Sequence, residues 1–418
     1  IAILTNKHIK NVIITQYVVK NINISIFALL NRLKSTKPLN SVAVTGTNGK
    51  TSVVWYVSQI CLGYKMPIKS YGTLGYFVNL KKKNETNLTT PSYNVLNKTA
   101  FSKNKNKYNF IFEASSHALD QKRFKNFPIN IGAITNITQD HLDYHKNLKN
   151  YKDSKLKLFT ENMDSGGYAI INDRIRNIKN LKKKLKINKN IIITYGLNES
   201  DINLAFEKNK LKLKFFNKNF LIKFKNYSQF ELENISCAIA CSFCLNIDIK
   251  NIIKIIQTIK NPPGRMEEIK INKNNKYKIY IDYAHTPDAL KQVLIAQTLN
   301  NKKPNVLFGC GGNRDNNKRS QMGYIANRYA EKIYITDDNP RQENPKKIRK
   351  TILSKCKKAL EIPDRKKAII ESINDLRTGD ILIIAGKGHE KIQINNNSTK
   401  FFSDYKTAKN QLIIKLLK

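Results

Sequence analysis

Short apolar runs alternate along the chain with segments in which apolar positions recur at helical spacing. A first series of strand-like runs comprises residues 41–45, 108–112, 129–134, 168–171 and 191–194, and a second comprises 277–281, 305–308, 332–335 and 380–384. Each run of the first series precedes a polar or helical segment. This alternation predicts an α/β protein with mainly parallel sheets.

The two series are separated by Pro262-Pro263-Gly264, which is the strongest interruption of regular structure in the chain. We therefore predict a central domain over residues 39–262 and a carboxyl-terminal domain over residues 263–418. Residues 1–38 are too short to form a nucleotide-binding domain and are expected to be the end of one. Between residues 180 and 230, short alternating apolar runs among Lys and Asn predict a peripheral set of hairpins.

Composition narrows the class of protein. The chain has 418 residues, 41% of them hydrophobic, and a formal net charge of +43. Its Lys residues are spread over all segments beside Asn and Ile, so the charge does not predict a specific nucleic-acid surface. The sequence has no apolar run long enough to span a membrane and no signal-peptide pattern, which predicts a cytoplasmic protein.

Three of the six cysteines, Cys237, Cys241 and Cys244, recur at the spacing of one helical face. A metal site would need further ligands at suitable spacing, and none is evident in the sequence. We expect these thiols to lie reduced in the hydrophobic core.

The first segment that predicts chemistry is Gly46-Thr47-Asn48-Gly49-Lys50-Thr51-Ser52, which follows a strand-like run and precedes a helical pattern. A glycine-rich turn at a helix start directs backbone N–H groups at an anion, and Lys50 adds a point charge. Thr51 is placed to bind Mg²⁺ through its hydroxyl. The segment predicts a loop that holds the β- and γ-phosphates of ATP.

Acidic and imidazole side chains follow two later strand-like runs. Glu113 ends one run, and Asp140, His141, Asp143 and His145 follow the next. Side chains at the carboxyl ends of parallel strands point to the edge where ligands bind. These side chains are able to ligate zinc, whereas Mg²⁺ prefers oxygen ligands, so the residue types alone leave both metals open.

Taken together, the motifs of the chain resemble those of the Mur ligase family, the ATP-dependent amide-forming ligases of peptidoglycan synthesis. The matching runs are TGTNGKTS, TTPS, EASSHALDQKR, TNITQDHLDYH, GRME, DYAHTPDAL, FGCGGNRDNNKR, TDDNPR and AGKGHE. They occur in the family's order from about residue 41 to residue 390. The resemblance is greatest to the ligases that add meso-diaminopimelate to UDP-N-acetylmuramoyl-L-alanyl-D-glutamate.

The resemblance implies a P-loop ATPase-like central domain, a Rossmann-like carboxyl-terminal domain that binds the incoming amino acid, and a truncated amino-terminal UDP-binding domain over residues 1–38. It implies ATP and Mg²⁺ as cofactors, a monomer, and an acyl-phosphate intermediate. ATP phosphorylates the D-glutamate side-chain carboxylate, and the incoming amine displaces phosphate. Positioning and charge neutralisation carry most of such a phosphoryl transfer.

The resemblance also assigns roles to individual residues. The catalytic residues it implies are Lys50, Glu113, His141 and Lys155, of which Glu113, His141 and a carbamylated Lys155 join Thr51 around Mg²⁺. ATP is expected to contact the loop from Gly46 to Ser52 together with Asn234, Arg265 and Asp282. The UDP-muramoyl dipeptide is expected at Thr89, Thr90, Ser115, Gln121 and Arg123. Diaminopimelate is expected at Arg314, Asp338, Asn339, Pro340, Arg341, Gly386 and Glu390.

Some features depart from the family pattern. Glu231 stands where Asn is usual, Asn313 replaces an acidic residue, and the short front end leaves uridine recognition open. The alternatives are a ligase for L-lysine, a folylpolyglutamate synthase-like ligase, and an inactive nucleotide-binding remnant. Arg341 argues against a ligase that adds L-lysine, because a planar guanidinium suits the second carboxylate of diaminopimelate. The presence of Lys50, Glu113, His141 and Lys155 together argues against a remnant.

Overall fold

The structure is a computed structural model that describes residues 2–32, 37–86, 88–101, 107–175, 178–196, 200–207, 210–223, 227–271, 276–299, 301–396 and 398–417. The chain divides into two compact units. Unit 1 comprises residues 1–137, 149–227 and 231–260, and unit 2 comprises residues 138–148, 228–230 and 261–418. The main division at residues 260 and 261 lies beside the predicted Pro-Pro-Gly boundary, whereas the sequence pattern did not predict that 138–148 groups with unit 2.

Unit 1 begins with strands β1 (Ala2–Thr5) and β2 (Thr15–Val18), which pair in parallel, and with helix α1 (Ile22–Arg32). Its main sheet contains β3 (Ser41–Thr45), β4 (Ile68–Gly72), β5 (Gly75–Val78), β6 (Lys81–Asn84), β7 (Asn109–Glu113), β8 (Ile131–Ile134), β9 (Tyr168–Asn172), β10 (Ile191–Gly196), β11 (Ile202–Glu207), β12 (Lys210–Phe215) and β13 (Lys218–Ile222). In the described part of the chain, the strand order is β13-β12-β11-β10-β9-β8-β3-β7-β4-β5-β6.

The centre of this sheet is parallel, from β10 through β9, β8, β3 and β7 to β4. Strand β3 is buried along its whole length, with Val42, Ala43 and Val44 at 0% exposure. A strand covered on both faces needs apolar side chains at successive positions, which is why this run does not alternate with polar residues. The α/β class with mainly parallel sheets that the sequence predicted is confirmed.

The helices and helical turns that connect or follow these strands are α2 (Lys50–Gly63), α3 (Tyr93–Ala100), α4 (Ser116–Asp120), α5 (Leu142–His145), α6 (Leu148–Lys157), a π-helical turn (Leu158–Asn162), α7 (Lys179–Ile187), α8 (Gln229–Cys244) and α9 (Ile249–Ile256). Of these, α5 lies in the segment that groups with unit 2. Cys237, Cys241 and Cys244 on α8 are buried, as predicted for core positions. Burial raises the pKa of the Cys244 thiol to about 12, so this thiol stays protonated.

The Lys- and Asn-rich stretch is only partly a set of hairpins. Strands β11, β12 and β13 pair antiparallel at one end of the sheet, as predicted. The preceding residues form helix α7 instead, because Leu181 and Leu185 are spaced four residues apart and pack together into the core. Apolar spacing therefore decides the structure of this segment despite its high charge.

Unit 2 is a second parallel α/β layer. Its sheet contains β14 (Glu267–Glu268), β15 (Lys278–Ile281), β16 (Asn305–Phe308), β17 (Ile333–Ile335), β18 (Leu360–Glu361) and β19 (Ile381–Ile384), in the order β14-β15-β19-β16-β17-β18 among the described residues. A separate hairpin joins β20 (Ile392–Asn395) to β21 (Ser398–Phe401). The helices are α10 (Pro287–Ala296), α11 (Asn317–Tyr329), α12 (Pro345–Leu353), α13 (Arg365–Asn374) and α14 (Asp404–Leu417).

The sheet of unit 2 is parallel except for β14, which pairs antiparallel with β15. Apolar side chains cover both faces of the sheet, since Ile281, Leu307 and Ile384 lie in one buried cluster and Phe308 and Ile383 in another. The polar loops that follow the strands gather at one edge, as in other open parallel sheets. Within the described ranges, the helices are all too short or too polar to cross a membrane.

Candidate functional site

The predicted phosphate loop connects β3 to α2 in unit 1. Gly46 has φ +142° and Gly49 has φ +86°, which are conformations that residues with side chains rarely adopt. A Cβ atom at Gly46 would lie 1.8 Å from Thr135 Oγ1, and one at Gly49 would lie 2.2 Å from Asn234 Oδ1. Both glycines are therefore required by the close packing of the loop, and Asn234 lies directly against it.

Hydrogen bonds from backbone and side-chain groups hold this loop in place. The N–H of Thr47 donates to the carbonyl of Asn136 at 2.9 Å, and the N–H of Asn48 donates to Asn136 Oδ1 at 2.9 Å. Lys50 Nζ donates to the carbonyl oxygens of Gly46 at 2.9 Å and of Thr47 at 2.8 Å. A cation thus lies beside the start of α2, where the N-terminal end of the helix also favours an anion.

Glu113 ends β7 and is 1% exposed. Its two carboxylate oxygens each accept from Thr51 Oγ1 at 3.0 Å, and Oε1 also accepts from the N–H of Thr73 at 2.8 Å. Gly72 allows this approach, because a Cβ atom there would lie 2.2 Å from Glu113 Oε1. The parallel pairing of Val44 with Glu113 brings the carboxylate to the same sheet edge as the phosphate loop.

The hydroxyl of Thr51 and the carboxylate of Glu113 form a set of hard oxygen donors, which fits Mg²⁺. No group of three or more His, Cys, Asp or Glu residues in the described ranges is arranged to hold a metal ion.

Lys155 lies on α6 and is 1% exposed. Its Nζ donates to the carbonyl of Gly46 at 2.7 Å and lies 4.4 Å from the centre of the Tyr151 ring. The hydroxyl of Tyr151 in turn donates to Thr47 Oγ1 at 3.1 Å. Lys155 is thus a buried lysine at the phosphate loop, although nothing in its local sequence distinguished it from surface lysines.

The residues predicted for the muramoyl dipeptide form one network beside Glu113. Thr90 Oγ1 donates to the backbone carbonyl of Glu113 at 2.6 Å and accepts from the N–H of Ser115 at 2.9 Å. Arg123 donates to the carbonyl of Thr90 at 3.0 Å and to Gln121 Oε1 at 2.8 Å. The hydroxyl of Thr89 lies 3.2 Å from that of Thr73, which itself contacts Glu113.

Nine other predicted site residues lie in unit 2, as does the segment that carries His141. His141 has φ +53°, and its Nε2 lies 3.3 Å from Asp140 Oδ2. Burial raises the pKa of Asp140, but His141, His285 and Lys318 outweigh it and hold the pKa at about 2. Asp140 is therefore ionised at neutral pH.

Of the two unit 2 residues predicted to contact ATP, Arg265 contacts Tyr283 and Asp282 precedes Tyr283 in the chain. The guanidinium of Arg265 lies 4.1 Å from the centre of the Tyr283 ring, a cation–π geometry. The carboxylate of Asp282 accepts from the N–H groups of Met266 and Ala284, each at 2.7 Å. These bonds fix Asp282 at the end of β15. The sequence pattern did not single out Tyr283.

The residues predicted for diaminopimelate come together at the carboxyl edge of the unit 2 sheet. Arg341 has φ +53°, and its Nη1 donates to the carbonyl of Gly312 at 2.8 Å. Burial lowers the pKa of Arg341, and the nearby charge of Arg314 has a smaller effect in the same direction. A Cβ atom at Gly386 would lie 2.7 Å from Asp338 Oδ2, so glycine is needed for that carboxylate to approach.

Asn339 and Glu390 contact each other, with Asn339 Nδ2 donating to Glu390 Oε2 at 2.9 Å. Lys387 donates to both of them, to Asn339 Oδ1 at 3.1 Å and to Glu390 Oε2 at 3.1 Å. Sequence reasoning missed Lys387, and its position between Gly386 and Glu390 in the AGKGHE run was the signal for it. Pro340 lies between Asn339 and Arg341, and its carbonyl would lie 1.8 Å from a Cβ atom at Gly312.

One departure from the family pattern has a simple structural account. Asn313 Oδ1 accepts from the N–H of Gln342 at 3.1 Å, a bond that an acidic side chain would also accept. Glu231, the other substituted position, is 7% exposed on α8 and lies three residues before Asn234.

Comparison with known proteins agrees with these observations. Residues 44–242 match the Mur ligase middle domain, and residues 264–388 match the Mur ligase glutamate ligase domain. The chain is 41% identical over 389 residues to the UDP-N-acetylmuramoyl-L-alanyl-D-glutamate--2,6-diaminopimelate ligase of Rickettsia bellii, an alignment that covers 89% of this chain and 80% of that protein.

Solved structures give the same result. A structure of UDP-N-acetylmuramoyl-L-alanyl-D-glutamate--2,6-diaminopimelate ligase matches with a TM-score of 0.67 at 28% identity, covering 99% of this chain and 87% of the other. The MurF ligase from Thermotoga maritima in complex with ADP matches in fold with a TM-score of 0.70 at 14% identity, covering 99% and 89%. Two domain matches in the correct order and a relative 41% identical over 89% of this chain lead to one conclusion: the chain belongs to the Mur ligase family of ATP-dependent ligases.

Proposed function

We propose that the chain joins meso-diaminopimelate to UDP-N-acetylmuramoyl-L-alanyl-D-glutamate at the expense of ATP, a step of peptidoglycan synthesis. The observation that carries the choice of amino acid is the cluster of Arg341, Asn339, Asp338 and Glu390 at one sheet edge of unit 2. The relatives named for this reaction support it.

The first half of the proposed reaction activates a carboxylate. A carboxylate is a poor electrophile, so its oxygen attacks the γ-phosphorus of ATP and ADP leaves, which creates an acyl phosphate. We assign the phosphates to the loop from Gly46 to Ser52 and their charge compensation to Lys50 and the start of α2. Thr51, Glu113, His141 and a carbamylated Lys155 are proposed to hold Mg²⁺. When bound, Mg²⁺ would neutralise the charge of the transferring phosphoryl group.

The second half forms the amide bond. The incoming amine loses a proton, attacks the acyl carbon and displaces inorganic phosphate. We assign the dipeptide to the network of Thr89, Thr90, Ser115, Gln121 and Arg123, and the nucleoside of ATP to Asn234, Arg265 and Asp282. The network around Thr90 supports this assignment, because it reaches the backbone of Glu113 directly.

The amino acid is recognised in this proposal by opposite charges. Asp338 and Glu390 face its ammonium group, while Arg314 and Arg341 face its carboxylates. A guanidinium matches a carboxylate with two parallel hydrogen bonds, and L-lysine offers no second carboxylate for Arg341. Because ATP and the UDP-linked precursor are cytoplasmic compounds, we also propose a cytoplasmic location.

The test is release of phosphate from ATP and Mg²⁺ in the presence of UDP-muramoyl-L-Ala-D-Glu, with meso-diaminopimelate, L-lysine or no amine. We expect release that requires both the dipeptide and diaminopimelate, and a loss of about 100-fold or more in kcat/KM for diaminopimelate in Arg341→Ala, since a bidentate charged contact is lost. Arg328→Ala is the matched control, because Arg328 is an exposed arginine of the same unit bonded to Tyr324.

Release that proceeds equally with lysine would contradict the assignment of Arg341. Phosphate release in no combination of substrates would favour the inactive nucleotide-binding alternative instead.

A further inference from the structure

Lys387 is a fully buried cation at the proposed amino-acid site, with 0% of its surface exposed. Its Nζ donates to Asn339 Oδ1 at 3.1 Å, to Glu390 Oε2 at 3.1 Å and to the carbonyl of Ile392 at 2.6 Å. An ammonium group has three hydrogens, and these contacts use all of them. Lys387 is therefore committed to the protein and has no hydrogen left to donate to a ligand.

Two donors determine how Asn339 presents its amide. Asn339 Oδ1 accepts from Lys387 and also from the N–H of Ile394 at 3.0 Å. A flip of the amide would turn its NH₂ group towards two donors, which is repulsive. Asn339 is thus locked with Nδ2 on the side of Glu390, where one of its two hydrogens reaches Glu390 Oε2.

The same contacts divide the two oxygens of Glu390. Oε2 accepts from both Lys387 and Asn339, whereas Oε1 lies 3.5 Å from the hydroxyl of Tyr283. Lys387 and Asn339 thus hold one oxygen, whereas the other takes the longer bond from Tyr283, and the Glu390 side chain stays 28% exposed. The buried ammonium also offsets the negative charge that Glu390 and the nearby Asp338 share before an amino acid binds.

We propose that Lys387 is the positioning residue of the amino-acid site: it selects the donor face of Asn339 and the oxygen of Glu390 that meet the incoming amino acid. The inference rests on the proposed function, which assigns that site to diaminopimelate. Preorganised partners of this kind lower the cost of ordering the site when the ligand binds.

The decisive variant is Lys387→Met, which keeps the length of the side chain and removes its charge and donors. We expect the KM for diaminopimelate to rise about 10- to 100-fold, by analogy with the effect of removing partners that orient metal-ligating side chains. The KM values for ATP and for the dipeptide are expected to stay within about twofold, because their proposed residues do not touch Lys387. Lys391→Met is the control, since Lys391 is an exposed lysine four positions along the same segment.

Lys387→Met leaves the negative charge of Glu390 without its buried counter-charge, which could by itself unfold the protein. The double variant Lys387→Met with Glu390→Gln removes both charges and avoids this problem. If Lys387 acts through Glu390 and Asn339, the rise in diaminopimelate KM in the double variant is smaller than the two single effects combined. Independent, additive losses would overturn the inference, as would a Lys387→Met enzyme whose KM for diaminopimelate is unchanged or whose three KM values rise together.

A second readout does not depend on catalysis. Because Lys387 holds the carbonyl of Ile392 and the amide that binds Ile394, hydrogen exchange of β20 should become at least about tenfold faster in Lys387→Met and stay unchanged in Lys391→Met. If the parent chain releases no phosphate with diaminopimelate, the proposed function fails while faster exchange still supports the positioning role. Unchanged exchange in β20 overturns that role whatever the activity.

Discussion

The ion pair between Arg365 and Asp404 predicts a large loss of stability on a small chemical change. Both side chains are 0% exposed. Arg365 Nε donates to Asp404 Oδ1 at 2.8 Å, and its Nη2 donates to Asp404 Oδ2 at 2.7 Å and to the carbonyl of Ala385 at 2.9 Å. The pair therefore joins the starts of α13 and α14 to the end of β19, directly before Gly386 of the proposed site.

Replacing Asp404 by Asn keeps the shape of the side chain but leaves a buried guanidinium without its counter-charge. Breaking one partner of such a pair costs about 3–5 kcal/mol. For a unit of this size, each kcal/mol lowers the melting temperature by about 2–4 °C, so we expect a decrease of about 6–20 °C. Replacing both residues, as Arg365→Met with Asp404→Leu, removes both charges and should recover most of the loss.

The assay is thermal unfolding followed by circular dichroism, with hydrogen exchange of β19 to assign the loss to unit 2. The control is Glu268→Gln, which breaks an exposed pair with Lys270 (side chains 30% and 70% exposed) and should cost less than about 1 kcal/mol. If Asp404→Asn lowers the melting temperature no more than this control does, the buried pair does not contribute as its geometry indicates.

Three further predictions concern single positions. Burial, with a contribution from Lys318, lowers the pKa of His285 to about 4. Between pH 6.5 and 4 the imidazole of His285 is therefore protonated in the unfolded chain but not in the folded one, so the free energy of unfolding falls as the pH is lowered. His285→Gln should flatten this dependence of the free energy of unfolding on pH, measured by urea titration at several pH values. The same dependence in the variant and the parent would refute this. Thr51→Val should raise the Mg²⁺ concentration for half-maximal phosphate release at least about tenfold, because it removes the hydroxyl. Thr51→Ser keeps the hydroxyl, so its half-maximal Mg²⁺ concentration should stay near that of the parent chain. Equal half-maximal concentrations in the two variants would exclude a role for the hydroxyl. Gly72→Ala would place a Cβ atom against the Glu113 carboxylate and should lower kcat about 100-fold. A fully active variant would show that the close approach of Glu113 to residue 72 is not needed.

The sequence by itself determined much of the architecture. The strand-like runs at 41–45 and 305–308 are strands at those same bounds, because parallel strands buried on both faces need continuous apolar side chains. The glycine-rich loop between β3 and α2 was equally clear as a structural element, since two glycines and a lysine before a helix form a purely local pattern. Several ordered motifs then gave the family, which the comparisons confirmed.

The tertiary structure decided which residues meet. Thr51 and Glu113 are 62 positions apart, and Lys155 and Gly46 are 109 apart, so no periodicity within a segment relates them. The resemblance named these residues, but only the register of β3 and β7 and the packing of α6 bring them to one loop.

Lys387 and Arg365 were beyond sequence reasoning for a related reason. A lysine or arginine among 74 basic residues is expected to be solvated, and charge alone does not reveal burial. Their roles follow from folded partners, which are Asn339 and Glu390 for Lys387 and Asp404 for Arg365. Local sequence thus determined the secondary-structure elements and the family. Only the tertiary packing determined which basic residues are buried beside the site, because a buried charge is stable only where the fold supplies its partners.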